Sequence, residues 1–375
     1  MKIVFTGGGT GGHFFPLIAV AEGVHEIIDE ERILDIKLYF MSESPYDKKA
    51  LFDNQITFVQ VPSGKLRRYF SFKNVMDMIP LAVGCIVALV KLFIIYPDVI
   101  FSKGGYASVP VLFAARILKI PVIIHESDSV PGRANLWAAK FAKRIALCYD
   151  EAGKYFPKDK IAVTGLPIRK DMLEKAGEGS REFFGLQKDI PTLFIIGGSL
   201  GAEAINNVIV DALKDLVEKY QIIHQTGRAN FDDVSGRAGI VLKDSPHKAR
   251  YKPIDLLNPL QMKMAAGAAT IIITRAGSTL FEIANWGVPA IIVPIPESVS
   301  HDQRTNAFSY GKFGGAQIIE EGNFTPSILL GEVDRLVSHP ELLEKMSKSA
   351  KQASRPDASK VIAKALVQIV LDHQK

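Results

Sequence analysis

His13 closes a glycine-rich run, Gly7-Gly8-Gly9-Thr10-Gly11-Gly12-His13. An imidazole at the mouth of such a loop can take a proton from a hydroxyl near neutral pH or contact a phosphate. Glu126 and Asp128, just after a short apolar run, are alternative bases. In the second half, Arg275-Ala276-Gly277-Ser278-Thr279-Leu280 reads as a strand end turning into a helix. Gly277 lets backbone N–H groups approach a ligand, Ser278 or Thr279 can cap, and the helix N-terminus favours an anion such as a diphosphate. Glu282, one turn in, can stabilise its own helix end or accept hydrogen bonds from a vicinal diol. The segment His301-Asp302-Gln303-Arg304-Thr305-Asn306 offers amide donors and acceptors suited to sugar hydroxyls. No Asp-x-Asp stands at a strand end to hold a divalent metal on a diphosphate. Helix N-termini at Ser199 and at Ser278 to Thr279, with Arg169 or Arg275, are expected to do that work, so no bound metal or cofactor is expected.

These groups share one setting. Short apolar runs, Lys2 to Thr6, Asp98 to Ser102, Val122 to Ile124, Leu193 to Ile196 and Ile271 to Thr274, each break into a glycine or polar turn. Buried parallel strands have this pattern, and polar residues at their carboxyl ends converge on a ligand crevice. Because strand, glycine turn and helix open both halves (Gly7 onward; Gly197-Gly198-Ser199-Leu200-Gly201-Ala202), the expected fold is α/β, two Rossmann-like domains facing across a cleft. Expected boundaries are 1–165 and 166–356, with a last helix within 357–375. The 375 residues fit two such domains, the 47% hydrophobic content excludes disorder, and a net charge of +5 does not mark a nucleic-acid binder. Cys85 and Cys148 have no CxxC spacing, which suggests buried thiols of a reducing compartment. Lys2 leads straight into the first strand, so no signal peptide is expected. Gly7, Gly9 and Gly12 also match G-x-G-x-x-G, but the acidic residue a dinucleotide site needs is displaced to Glu43, past a strand at Ile36 to Met41.

Val75 to Tyr96 is the one transmembrane candidate. Asp77, Pro80 and Lys91 interrupt it, and Leu81 to Val90 is too short to span, so it reads as a crossover helix with excess apolar surface. Lys65, Arg67, Arg68 and Lys73 beside it suit a surface that dips into a bilayer interface.

Ile271 to Ala307 resembles the donor half of the GT-B glycosyltransferases. The strings GGGTGGHFFP (with Pro16), GGSLGA, Gly104-Gly105-Tyr106 and His125-Glu126-Ser127-Asp128 with Asn135 resemble loops of that family's peptidoglycan N-acetylglucosaminyltransferases. The resemblance spans nearly the whole chain. It implies an acceptor-binding, membrane-facing first domain, a UDP-sugar-binding second domain, and a last helix returning to the first. The implied activity is inverting transfer of N-acetylglucosamine from UDP-N-acetylglucosamine to a polyprenyl-diphosphate-linked muramoyl-pentapeptide, lipid I to lipid II, at the cytoplasmic face of the membrane, without nucleic acid. It puts Glu282 on the ribose and Gln303 and Asn306 on the sugar. Thr10, Gly11, Gly12, Asp128, Arg169, Gly198, Ser199, Leu200, Arg275, Gly277, Ser278, Thr279 and Leu280 go toward the donor, Gly104, Gly105, Tyr106, His125, Glu126 and Asn135 toward the acceptor, and His13 is the candidate base. The uracil is expected near Leu256 to Leu260. Three departures stand out: Arg275 and Glu282 are one residue closer than the family's spacing, Leu166 replaces an asparagine, and Asp128 replaces an amide. Two rival readings are a UDP-N-acetylglucosamine 2-epimerase-like isomerase and a non-catalytic nucleotide-sugar or lipid-binding subunit.

Overall fold

The computed structural model describes residues 1–32, 36–64, 72–198, 201–299 and 303–373. Two compact units emerge, Met1–Lys170 with Arg355–Lys375, and Asp171–Ser354. The first holds seven parallel strands: β1 (Lys2–Thr6), β2 (Lys37–Ser42), β3 (Ile56–Gln60), β4 (Val99–Ser102), β5 (Val122–Glu126), β6 (Arg144–Leu147) and β7 (Ile161–Val163). Their order is β3-β2-β1-β4-β5-β6-β7. The second holds β8 (Thr192–Ile196), β9 (Gln221–Gln225), β10 (Tyr251–Ile254), β11 (Ile271–Thr274), β12 (Ala290–Ile292) and β13 (Ala316–Ile318), in the order β10-β9-β8-β11-β12-β13 and again all parallel.

The central strands are continuous runs of Val, Ile and Phe because helices cover both of their faces. In the first unit, Ile3, Phe5, Phe40 and Phe101 form one core with the Gly11–Glu31 helix and with Ile362, Leu366 and Val370 of the last helix, Ala358–His373. Val4, Ile100 and Ile124 form the opposite core with Ala88, Leu92 and Val111. In the second unit Leu193, Ile195, Ile273 and Ile291 pack on Ile205, Ile209, Leu213 and Leu329.

Strand order reverses between β1 and β4 and again between β8 and β11, and open α/β sheets bind ligands beyond the carboxyl ends at such switch points. The glycine turns after β1 and β4, and those after β8 and β11, flank these two points.

The apolar segment is one continuous helix, Phe72–Ile95, that passes through Pro80 without ending. Its sequence interruptions therefore do not break it, and Met78–Ile95 is long and apolar enough to cross a membrane by length and composition. Yet it is the crossover from β3 to β4 and packs along the Val109–Leu118 helix by a stripe of Gly84, Ala88 and Leu92. A Cβ on Gly84 would stand 1.9 Å from the Pro62 carbonyl oxygen, so only glycine lets the helix seat there. Most of the remaining face is open, with Ile79, Ile86, Phe93 and Ile94 at 65–71% exposure. Lys65, Arg67 and Arg68 lie outside the described residues.

Candidate functional site

At the first switch point the turn after β1 feeds the Gly11–Glu31 helix, and His13 sits in its first turn, half-buried. Its Nδ1 is 2.9 Å from the Thr10 hydroxyl oxygen. Nε2 faces the second glycine turn, 3.7 Å from where a Cβ on Gly105 would stand. Burial first, and then the positive charge of Lys103, hold the imidazole down at about 4, so it is neutral and able to accept a proton. No side chain caps this helix, because the Thr10 hydroxyl is turned to the ring, and no acid stands in the first turn. Such an end suits an anion.

Tyr106 follows Gly104 and Gly105 and reaches over the first turn, where a Cβ on Gly9 would meet its ring at 3.1 Å. Its hydroxyl bonds Glu43, and burial and that carboxylate both raise its pKa. Gly104, at φ +80°, leaves room for Asn135, whose Oδ1 would lie 2.7 Å from an added Cβ.

His125 and Glu126 end β5, and Asn135 follows in the Arg133–Ala138 helix. His125, Glu126 and Asn135 are at most 3% exposed, so they form a scaffold beneath the surface. Glu126 accepts hydrogen bonds from the Asp128 and Gly132 backbone N–H groups at 3.0 Å and from Asn135 Nδ2 at 2.9 Å. Both carboxylate oxygens are thus engaged in shaping the 127–132 loop, which argues against Glu126 as a free base. Burial and the nearby Asp128 raise its pKa, while Lys103 and the hydrogen bonds lower it. The His125 ring shares a hydrogen bond with the Gly165 carbonyl at 3.0 Å, and burial keeps it neutral. Arg169 stacks its guanidinium 4.4 Å from the Phe15 ring centroid.

At the second switch point Gly198 and Gly277 border open space, since a Cβ on either would meet nothing within 4 Å. Ser199 and Leu200 lie outside the described residues, and the helix after them begins only at Glu203. The Thr279–Trp286 helix starts next to Ser278, whose side chain does not cap it. Glu282 is half-buried in its first turn, whereas Leu280 is wholly inside the core. Arg275 is committed elsewhere: its guanidinium pairs with Glu321 at 2.5 Å and donates to the Val293 carbonyl at 2.9 Å. Two partners and 11% side-chain exposure leave it holding the turn. Gln303 opens the Gln303–Gly311 helix, with Oε1 3.4 Å from the Ile295 N–H. Asn306 is 3% exposed and donates to the Ala276 carbonyl at 3.5 Å, fixing that helix against the turn after β11. His301 and Asp302 lie outside the described residues.

Sequence reasoning passed over two residues. Gln225, at the end of β9, donates to the Gly198 carbonyl at 3.1 Å and accepts from the Leu257 N–H at 3.0 Å, tying the glycine turn to the expected uracil segment. Lys103, before the second glycine turn, is 2% exposed. A polar residue just ahead of a glycine turn was the available signal in the second case. Among the described residues no three His, Cys, Asp or Glu side chains are grouped to hold a metal ion.

Residues 3–147 match the glycosyltransferase family 28 N-terminal domain, and residues 192–362 match the glycosyltransferase family 28 C-terminal domain. The chain is 38% identical over 342 residues to the UDP-N-acetylglucosamine–N-acetylmuramyl-(pentapeptide) pyrophosphoryl-undecaprenol N-acetylglucosamine transferase of Treponema denticola, covering 88% of this chain and 86% of the relative. It is 34% identical over 374 residues to a transferase of the same name, numbered 2, from Bacillus thuringiensis subsp. konkukian, covering 99% and 98%. Among solved structures, Acinetobacter baumannii MurG is 25% identical with a TM-score of 0.70, covering 98% of this chain and 99% of that one. The UDP-GlcNAc 2-epimerase from Neisseria meningitidis, solved with UDP-GlcNAc, shares the fold at 16% identity, with a TM-score of 0.69 and coverage of 98% and 100%.

Proposed function

The chain belongs to glycosyltransferase family 28, and from that premise we infer how its two units share one reaction. It is a UDP-N-acetylglucosamine-dependent N-acetylglucosaminyltransferase of peptidoglycan synthesis, acting on a lipid-linked N-acetylmuramyl-pentapeptide. The observation that carries this reading is identity of 34–38% along almost the whole chain to relatives named for that reaction. The epimerases share the architecture at 14–16% identity, which bears on fold alone.

In the reaction the acceptor hydroxyl oxygen bonds to the anomeric carbon as the bond from that carbon to the diphosphate oxygen breaks. The hydroxyl proton goes to a base, and UDP leaves with the bonding electron pair. A single displacement inverts the anomeric centre. We assign the base to His13 Nε2: the ring is neutral, and its other nitrogen is engaged with Thr10. Asp128 stays the alternative. The acceptor is assigned to the first unit, over the turns at Gly104 to Tyr106. The donor is assigned to the second, with Gly198 and the Gly277 to Thr279 turn approaching the diphosphate, Glu282 the ribose and Gln303 the sugar. N–H groups at the start of the Thr279–Trp286 helix are then what offsets the charge on departing UDP, with no bound metal required.

The acceptor's polyprenyl tail lies in a bilayer, and the apolar face of the Phe72–Ile95 helix fits a membrane-docking surface. Met78, Ile79, Val83, Ile86, Val90, Phe93 and Ile94 are exposed there, with Phe113 and Ile117 on the neighbouring helix. Far more apolar surface is open than a soluble crossover helix needs. The enzyme is accordingly assigned to the cytoplasmic membrane face as a peripheral protein.

Incubation with UDP-N-acetylglucosamine alone separates the readings. A transferase leaves the sugar nucleotide intact until acceptor is added, whereas conversion to the 2-epimer without acceptor would overturn the assignment.

A further inference from the structure

The Lys103 side chain is enclosed between the two glycine turns of the first unit. Its backbone N–H donates to the Thr6 carbonyl at 2.9 Å, and its Cβ would lie 3.1 Å from a Cβ placed on Gly7. The residue is 2% exposed, and among the described residues Nζ has no hydrogen-bond partner. Asn135 Oδ1 and His125 Nδ1 are likewise without one. The acid whose field it shares, Glu126, is already engaged by three donors. A buried, unpaired cation opposes folding, and an apolar side chain of the same length would remove that cost. A lysine here therefore calls for a reason other than stability.

The groups within reach of its charge supply one. They are His13 from the first helix, His125 and Glu126 from β5, and Cys148 beyond β6, with Asp128 facing Glu126 and Cys148 from the loop. For His13, Lys103 is the one charged neighbour that bears on the ring. We propose that Lys103 is a positioning residue of this site, a buried cation that acts through its charge on His13 and on the Glu126-held loop without touching a substrate. Its charge disfavours a second positive charge on the imidazole and so adds to burial in keeping the ring neutral before reaction, at the cost of a lower proton affinity. The same charge favours the ionised Glu126 carboxylate, the form that accepts all three hydrogen bonds of the 127–132 loop.

This inference rests on His13 as the base only for its effect on turnover. The test uses the full chain with Lys103→Met, which keeps length and removes charge, and Lys103→Arg, which keeps charge. The His13 ring is titrated by NMR, assigned with His13→Gln, alongside the pH dependence of kcat and thermal unfolding at pH 8. In Lys103→Met the His13 midpoint should rise above about 4, by the lesser part of the distance to 6.5 because burial is the larger cause, and the acid limb of kcat should move up with it. The Met variant should unfold no earlier than the parent, and Arg should restore the parent titration. An unmoved ring titration in Lys103→Met overturns the proposal, as does failure of both Lys103→Met and Lys103→Gln to fold, since that would make the lysine a structural element. A shifted ring with an unmoved kcat profile supports the role of Lys103 and instead removes His13 as the base.

Discussion

The Thr10 hydroxyl oxygen lies 2.9 Å from Nδ1 of His13, three residues on, and this contact decides which ring nitrogen is available. If Nδ1–H donates to Thr10, Nε2 keeps its lone pair and faces the second glycine turn; in the other tautomer Nε2 carries a proton and cannot act as a base. Thr10→Val should lower kcat about tenfold, the scale of one net hydrogen bond of about 1.4 kcal/mol. Folding stability should hardly change, because this hydroxyl does not cap the helix. Steady-state kinetics check this: a raised KM for UDP-sugar at constant kcat would return Thr10 to donor binding.

His13→Gln should lower kcat by about 10²–10⁴-fold, the usual contribution of a general base. UDP affinity, measured by calorimetry, should stay within about twofold, since the nucleotide is assigned to the other unit. Normal turnover would move the role to Asp128.

Much of this frame was legible in the sequence. β-branched runs ending in glycine announced the strands, and their parallel pairing follows from runs that are apolar on both faces. What the runs could not disclose was which polar residues at the strand ends stay at the surface. Glu126, Asn135 and Arg275 look like ligand-binding residues by type, but each also has a partner within the fold: the nearby Gly132 and His125 for the first two and the distant Glu321 for the third. Buried polar groups are kept by hydrogen bonding, and those partners are set by tertiary packing. The expected crossover helix is present and runs through Pro80, with Gly84, Ala88 and Leu92 on its buried stripe.

In the donor half, Glu282→Gln and Gln303→Ala should each lower kcat/KM for UDP-N-acetylglucosamine by roughly 10- to 100-fold, as expected for loss of a hydrogen bond to a charged group or to the sugar, about 1.5–3 kcal/mol. Circular dichroism and the unfolding temperature should match the parent. Parent-like kcat/KM in both variants would sink the donor-pocket assignment.

Acid should destabilise the fold through its buried histidines. His224, between Tyr251 and Asn206, is held at about 3, and His125 well below 6.5, in both cases chiefly by burial. Because the folded values are depressed, the unfolded chain binds more protons once pH falls below about 6.5. Stability is then lost on the way down to the folded values, at about 1.4 kcal/mol per pH unit per histidine, and nothing is lost above that range. The urea midpoint should therefore fall between pH 7.5 and 5, and His224→Gln should flatten that dependence. An unchanged midpoint between those pH values would contradict it.

Ile86→Asp with Phe93→Asp places two charges on side chains that are 65% and 69% exposed, so the fold should survive. Sedimentation with anionic liposomes should show lost binding in the double variant and retained binding in the parent. Equal binding by both proteins would remove the Phe72–Ile95 helix as the docking surface.

The central claim is tested most directly by mixing the purified chain with UDP-N-acetylglucosamine, which carries an α-linked sugar, and a lipid-linked N-acetylmuramyl-pentapeptide, and then reading the product linkage by NMR. The account requires UDP release that depends on acceptor and a disaccharide joined through a β-glycosidic bond. An α-linked product, or no transfer by the pure chain with both substrates present, would contradict it.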